Sequence, residues 1–91
     1  MAKRKETVMR VIDGDTFLTA SRRRPVRLAG VDTPERGTRQ GAKATQGLRK
    51  MIQGKKVVVH TIGRDMFGRT IARVKVTGKS VNKAVKNKLS K

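Results

Sequence analysis

Between Val26 and Gly30 the chain sets Val26, Leu28 and Gly30 on one side and Arg27 and Ala29 on the other, which is the two-residue period of a strand. Arg69–Val76 (RTIARVKV) alternates in the same way, with Ile71, Arg73 and Lys75 on a common side. Three further segments, Thr7–Ile12, Asp15–Ala20 and Lys55–Ile62, are strand-like in length and side-chain type. Asp13-Gly14, a strong hairpin signal, separates the first two, so the second strand is expected to return antiparallel with Asp15 at its start. The period becomes helical over Ala42–Gln53, where Ala44, Leu48, Met51 and Ile52 share a face and Gly54 marks the stop. Gly47 costs that helix about 1 kcal/mol against alanine, so packing must hold it. A second helix follows Ser80, a good N-cap, with Val81, Ala84, Val85 and Leu89 as its apolar stripe.

The connections carry their own information. Ser21–Pro25 (SRRRP) is a basic turn, either a solvated tip or a contact for phosphates. In Val31–Gln40 the pair Thr33-Pro34 is kept extended, because a residue before proline is excluded from the helical region. Residues 1–5 are expected to be a basic tail and residues 6–91 a single domain, with Met9 and Met51 as core filler. Five short strands with a helix inserted between the third and fourth is the order of a five-stranded OB-fold β-barrel. The expected class is therefore mainly β (α+β), with one inserted helix and a C-terminal helix.

Composition narrows the partners. At 91 residues the chain can bury only a modest core, and valine dominates it, with 11 residues against two phenylalanines and no tryptophan or tyrosine. The formal net charge is +18, self-repulsion on a scale that points to a polyanionic partner, nucleic acid first. No stretch pairs a basic face with the large apolar face of an interfacial helix, so a membrane partner is not expected. Cysteine is absent, which excludes disulfides and thiolate metal sites. No long apolar run follows the basic start MAKRKETV, so neither a signal peptide nor a membrane span is expected, the expected location is cytoplasmic, and the expected state is a monomer.

The acids are distributed unevenly. Four of the six, Asp13, Asp15, Asp32 and Glu35, lie in two short motifs, VIDGDTF and VRLAGVDTPE, beside a lone basic side chain, Arg27. Hard oxygen ligands for a hard cation, with a guanidinium for phosphate, are what metal-dependent phosphate chemistry requires. Asp15 and Asp32 with the Thr33 carbonyl supply only part of a calcium shell of about 6–8 oxygens, which leaves room for water and a substrate phosphate. Glu35 stands three residues past Asp32, able to address a water near such an ion.

VIDGDTF, VRLAGVDTPE and DMFGR, in this order and spacing, resemble the three motifs of the staphylococcal nuclease (thermonuclease-like) family, and GKSVNKAV resembles the segment after them. The resemblance covers about residues 7–87. It implies a calcium-dependent nuclease acting on DNA or RNA and leaving 3′-phosphate ends. It also implies Asp15, Asp32 and the Thr33 carbonyl as calcium ligands, Asp13 as a supporting acid, Glu35 as general base, and Arg27 and Arg69 on the phosphate. Where family members carry a lysine and an aromatic before the glycine of the last motif, this chain has Met66-Phe67, so Phe67 reads equally as a base-stacking ring or as core or barrel-mouth filler.

Two rival readings share this composition. A non-catalytic basic OB module would bind nucleic acid equally well, but it has no reason to gather carboxylates where phosphates arrive, since each repels the ligand unless a cation intervenes. A scaffolding domain with a decayed site is the other, yet none of the family's site residues is missing here. His60 stands in a strand with no neighbouring acid and reads as a surface or packing residue, and Asp65 as a turn or ion-pair residue beside Arg64 or Arg69.

Overall fold

A computed structural model describes residues 3–31 and 37–89 of the chain. Its elements are β1 (Lys3–Asp13), β2 (Thr16–Thr19), β3 (Val26–Leu28), α1 (Arg39–Ile52), β4 (Lys56–Arg64), β5 (Thr70–Val76), β6 (Lys79–Ser80) and α2 (Val81–Leu89). The strands join in the order β3-β2-β1-β4-β5-β6, and a parallel pairing of β3 with β5 closes the first five into a barrel. The two-residue β6 extends β5 at the edge. The expected five-stranded barrel with an inserted and a C-terminal helix is the architecture observed.

β1 makes closure possible. Its first half, Lys3–Thr7, pairs with β4, and its second half, Val8–Asp13, pairs with β2, so one long strand turns the corner between two neighbours. The register of β1 on β2 shifts between Val8 and Arg10 and again between Val11 and Asp13. Such bulges bend a strand and increase its twist, as a small barrel demands. Two expectations are corrected here. Lys3–Lys5 are not a tail: they pair with Val58–His60, because β4 reaches far enough to offer them backbone partners. Met9 is not core filler: the irregularity after Val8 turns both Val8 and Val11 inward and leaves Met9 64% exposed.

The core is a packed apolar cluster. Phe17, Val26 and Leu28 from β2 and β3 meet Val57 and Val59 of β4, and Ala72 and Val74 of β5. Leu48 and Ile52 of α1 join it, with Met51 packed partly against it, as the helical stripe predicts. α1 begins three residues earlier than its apolar period suggests, because the Thr38 hydroxyl accepts from Gly41 N at 2.9 Å and caps the first turn. Val81 and Val85 bury the inner side of α2, and Ser80 caps it by accepting from Lys83 N. The side chain of Leu89 lies outside the described residues. Among the described residues no helix is long and apolar enough to cross a membrane.

Two polar clamps hold the barrel together. The side chain of Asn82 donates to the carbonyls of Ala29 (2.9 Å) and Ala72 (3.1 Å) and accepts from Val74 N (2.8 Å), tying α2 to β5 and to the exit of β3. Glu6, fully buried at its side chain, accepts from Thr19 Oγ1 (2.8 Å), Ser21 Oγ (3.0 Å) and Arg22 Nε, which lies 2.8 Å from both carboxylate oxygens. Arg22 donates onward to Thr61 (3.3 Å) and Thr70 (3.5 Å), so one buried ion pair links β1, β4, β5 and the β2–β3 connection. Neither clamp was visible as such in the sequence.

Candidate active site

Asp13 and Thr16 are partners across the first hairpin, so the turn is Gly14-Asp15 and Asp15 lies in it, just before β2. The turn is fixed on three sides. Asp15 N donates to Asp13 Oδ1 (3.1 Å), Thr16 Oγ1 donates to Asp15 Oδ1 (2.7 Å), and Leu28 N donates to the Asp15 carbonyl (2.8 Å). Asp15 is consequently 8% exposed, a buried carboxylate at the rim of the barrel.

What compensates it is Arg27. Leu28 and Val26 turn into the core, so alternation aims Arg27 to the other side, as expected. There its NH2 group lies 3.5 Å from Asp15 Oδ2 and donates to the Val31 carbonyl at 3.1 Å. One guanidinium thus touches both the first acidic motif and the exit of β3. Burial, with the Asp15 carboxyl beside it, pushes the Asp13 carboxyl above the usual carboxylate range.

Arg69 enters from the other end of β5. Thr70 N donates to the Pro25 carbonyl, and β3 runs parallel to β5 with Arg27 opposite Ile71. Thr70 and Ala72 point inward, so alternation puts Arg69 and Ile71 on the same side as Arg27. Asp65 positions it. One carboxylate oxygen accepts from the backbone of Phe67 and Arg69, and the other accepts from Arg69 Nε at 2.6 Å. The contact is made through Nε of the guanidinium. Although burial opposes it, the backbone and side-chain donors of Arg69 hold the Asp65 carboxyl below its usual range. The expected role of Asp65 as a turn and ion-pair residue is observed with Arg69.

Phe67 is 75% exposed, so it is not core filler, and the Arg69 guanidinium lies 5.5 Å from its ring centre. The ring thus stands largely in solvent with a guanidinium beside it. Asp32, Thr33 and Glu35 lie outside the described residues. The structure therefore brings together Asp13, Asp15 and Arg27, and sets Arg69 with Phe67 in the β4–β5 connection.

Among the described residues no three His, Cys, Asp or Glu side chains gather to hold a metal ion. The donors at the rim nevertheless suit a hard cation: they are all oxygens, and Asp13 and Asp15 sit side by side despite their mutual repulsion. The pairing of Asp65 with Arg69 was expected from their closeness in the chain, whereas Arg22 owes its position to Glu6, 16 residues away, a partner the local sequence hides.

Comparison with known proteins agrees with this geometry. Residues 25–89 match the model of the staphylococcal nuclease homologue family. An uncharacterized endonuclease of Escherichia coli is 36% identical over 69 residues, which is 74% of this chain and 45% of that protein. Protein ParB of Escherichia coli is 36% identical over 75 residues, 80% of this chain and 42% of its own length. A probable staphylococcal-like nuclease of Oryza sativa subsp. japonica is 36% identical over 53 residues, 58% of this chain and 16% of its own. The matched stretch spans less than half the length of each of these relatives. With a closed OB-like barrel, the Asp15–Arg27 pair at its rim and a family match over most of its length, the chain belongs to the staphylococcal nuclease homologue family.

Proposed function

We propose that this chain is a calcium-dependent nuclease that hydrolyses phosphodiester bonds of DNA or RNA. The observation that carries the reading is the contact of Arg27 with both Asp15 and the Val31 carbonyl, which gathers a buried acid, a fixed guanidinium and the chain leading to Asp32 at one rim. The endonuclease and nuclease names of its relatives support the same chemistry.

Asp15, Asp32 and the Thr33 carbonyl are the residues that would hold the ion, with Asp13 supporting them. When bound, calcium supplies Lewis-acid polarisation of a phosphoryl oxygen and offsets developing negative charge. Glu35 takes the proton from the attacking water, a contribution typically of about 10²–10⁴-fold in rate. Oxygen of that water bonds to phosphorus as the bond to the 5′ oxygen breaks; that oxygen takes a proton from solvent and leaves as a 5′-hydroxyl, and the phosphate stays on the 3′ side. Arg27 and Arg69 stabilise the charge that accumulates on the phosphorus oxygens, and their planar forks do so bidentately where a lysine would not. Asp65 holds the Arg69 guanidinium through Nε.

Incubating the protein with single-stranded and duplex DNA, with calcium or with a chelator, tests the proposal. Calcium-dependent fragmentation should disappear in Glu35→Gln and Arg69→Ala while DNA binding is largely kept. Binding without fragmentation, indifferent to calcium, would instead identify a non-catalytic basic module.

A further inference from the structure

Four arginines line one cleft on the side of the barrel: Arg22, Arg23 and Arg24 from the β2–β3 connection, and Arg64 at the end of β4, with Thr70 at its floor. Arg64 and Thr70 face each other across the β4–β5 pairing, so the cleft lies between a loop and a hairpin and not at a single loop tip.

The loop wall is anchored. Arg22 is fixed on Glu6, Thr61 and Thr70, and the Pro25 carbonyl accepts from Thr70 N. Arg24 reaches across to the hairpin, its guanidinium occupying the place where a Cβ on Gly68 would stand. Gly68 adopts a φ of +81°, so glycine serves both the turn and this close approach. Arg22 alone of the four has an acid partner among the described residues. Among the described residues, Arg23, Arg24 and Arg64 have no acid partner, yet they converge on one concavity. Like charges so gathered repel one another until an anion enters between them.

The dimensions and lining select the anion. The cleft holds about 210 Å³, below the roughly 300–1,000 Å³ of small-molecule pockets, and no aromatic side chain lines it to take a base. Guanidinium forks suit phosphate. Arg24 rests on Gly68, the residue before Arg69, so the cleft adjoins the segment that carries a proposed phosphate-binding arginine.

We propose that Arg23, Arg24 and Arg64 form a second phosphodiester subsite, which takes a backbone phosphate of the nucleic-acid strand flanking the bond to be cleaved. The nuclease reading supplies the identity of this polyanion; the cleft itself stands on its own geometry.

The test compares Arg23→Ala/Arg24→Ala/Arg64→Ala with a control of equal charge loss on the exposed face of α1, Lys43→Ala/Arg49→Ala/Lys50→Ala. Affinity for a labelled single-stranded oligonucleotide is read by fluorescence anisotropy across about 50–200 mM salt. Three lost phosphate contacts should make the slope of log affinity against log salt shallower by about 2, at about 0.7 per contact. The control should leave the slope within about 0.5 of the wild type. Cleavage of thymidine 5′-(p-nitrophenyl) phosphate, too short to reach the cleft, should keep its kcat/KM, while KM for the long strand rises about tenfold. Equal slopes for the cleft variant and the control overturn the proposal. So does an unchanged DNA slope accompanied by lost binding to phosphatidylserine vesicles, which would make the cleft a membrane contact. If the wild type cleaves no diester, the nuclease reading falls, and the slopes still decide the subsite. Far-UV circular dichroism checks folding; should the triple variant fail, Arg23→Ala/Arg64→Ala spares the Arg24 contact and should lower the slope by about 1.4.

Discussion

Replacing Glu6 by alanine removes the acceptor on which the β2–β3 connection is built. The carboxylate is fully buried and receives Thr19, Ser21 and Arg22, whose own side chain is only 17% exposed. Breaking a buried pair from one side costs about 3–5 kcal/mol, because the remaining charge is left without a partner. Arg22 can regain some water through its exposed edge, which places the expected loss at about 3 kcal/mol. A domain of 91 residues has about 5–14 kcal/mol in total, so this is a large fraction of it. At about 4–8 °C per kcal/mol for a domain of this size, Tm should fall by about 12–24 °C. With no tryptophan or tyrosine to report, unfolding is followed by far-UV circular dichroism, in urea and on heating. Glu6→Ala/Arg22→Ala should cost less than the sum of the single changes by at least about 1 kcal/mol, since the double variant leaves no orphaned charge. A loss under about 1 kcal/mol for Glu6→Ala, or strict additivity, would refute the reasoning.

The same pair predicts a pH dependence. Burial alone would raise the Glu6 carboxyl, but the Arg22 guanidinium and the Thr19 and Ser21 hydroxyls outweigh it and hold the group below its ordinary 4.5. As pH falls from 4.5 the unfolded chain takes up the proton first, so this contribution is complete above that value and fades as pH drops through the folded one. Acid unfolding of Glu6→Gln should lack that component.

Asn82→Ala should cost about 2–4 kcal/mol in urea unfolding, because the Val74 amide and the Ala29 carbonyl lose its side chain, although the Ala72 carbonyl keeps the Ala29 amide; a loss under about 0.5 kcal/mol would mean water replaces the side chain. Met9→Gln should change stability by no more than about 0.5 kcal/mol, whereas Phe17→Ala, fully buried, should cost about 3–5 kcal/mol. The reverse order would contradict the bulge that turns Met9 outward. If the ion site is as proposed, calcium with a nucleotide bisphosphate at about 100 times Kd should add about 2.7 kcal/mol, seen as a rise in Tm that Asp15→Asn abolishes.

Local periodicity made the barrel strands, α1 and the apolar side of α2 legible, because alternation and helical spacing follow from each segment's own geometry. The acidic motifs were legible for a related reason: Asp13, Gly14 and Asp15 form their turn by contacts two residues long. What the tertiary structure decided depends on partners far away in the chain. Nothing near Lys3–Lys5 announces that β4 will pair with them, and nothing in Ser21–Pro25 distinguishes Arg22, held on Glu6, from Arg23 and Arg24, which have no acid partner among the described residues. Met9 went outward because bending β1 between β2 and β4 needs an irregularity there, a requirement of closure and not of the segment. The chemistry that a residue type can perform is written in the sequence, but burial and charge compensation are properties of the assembled barrel, and they select which arginine anchors a loop and which remain for an anion.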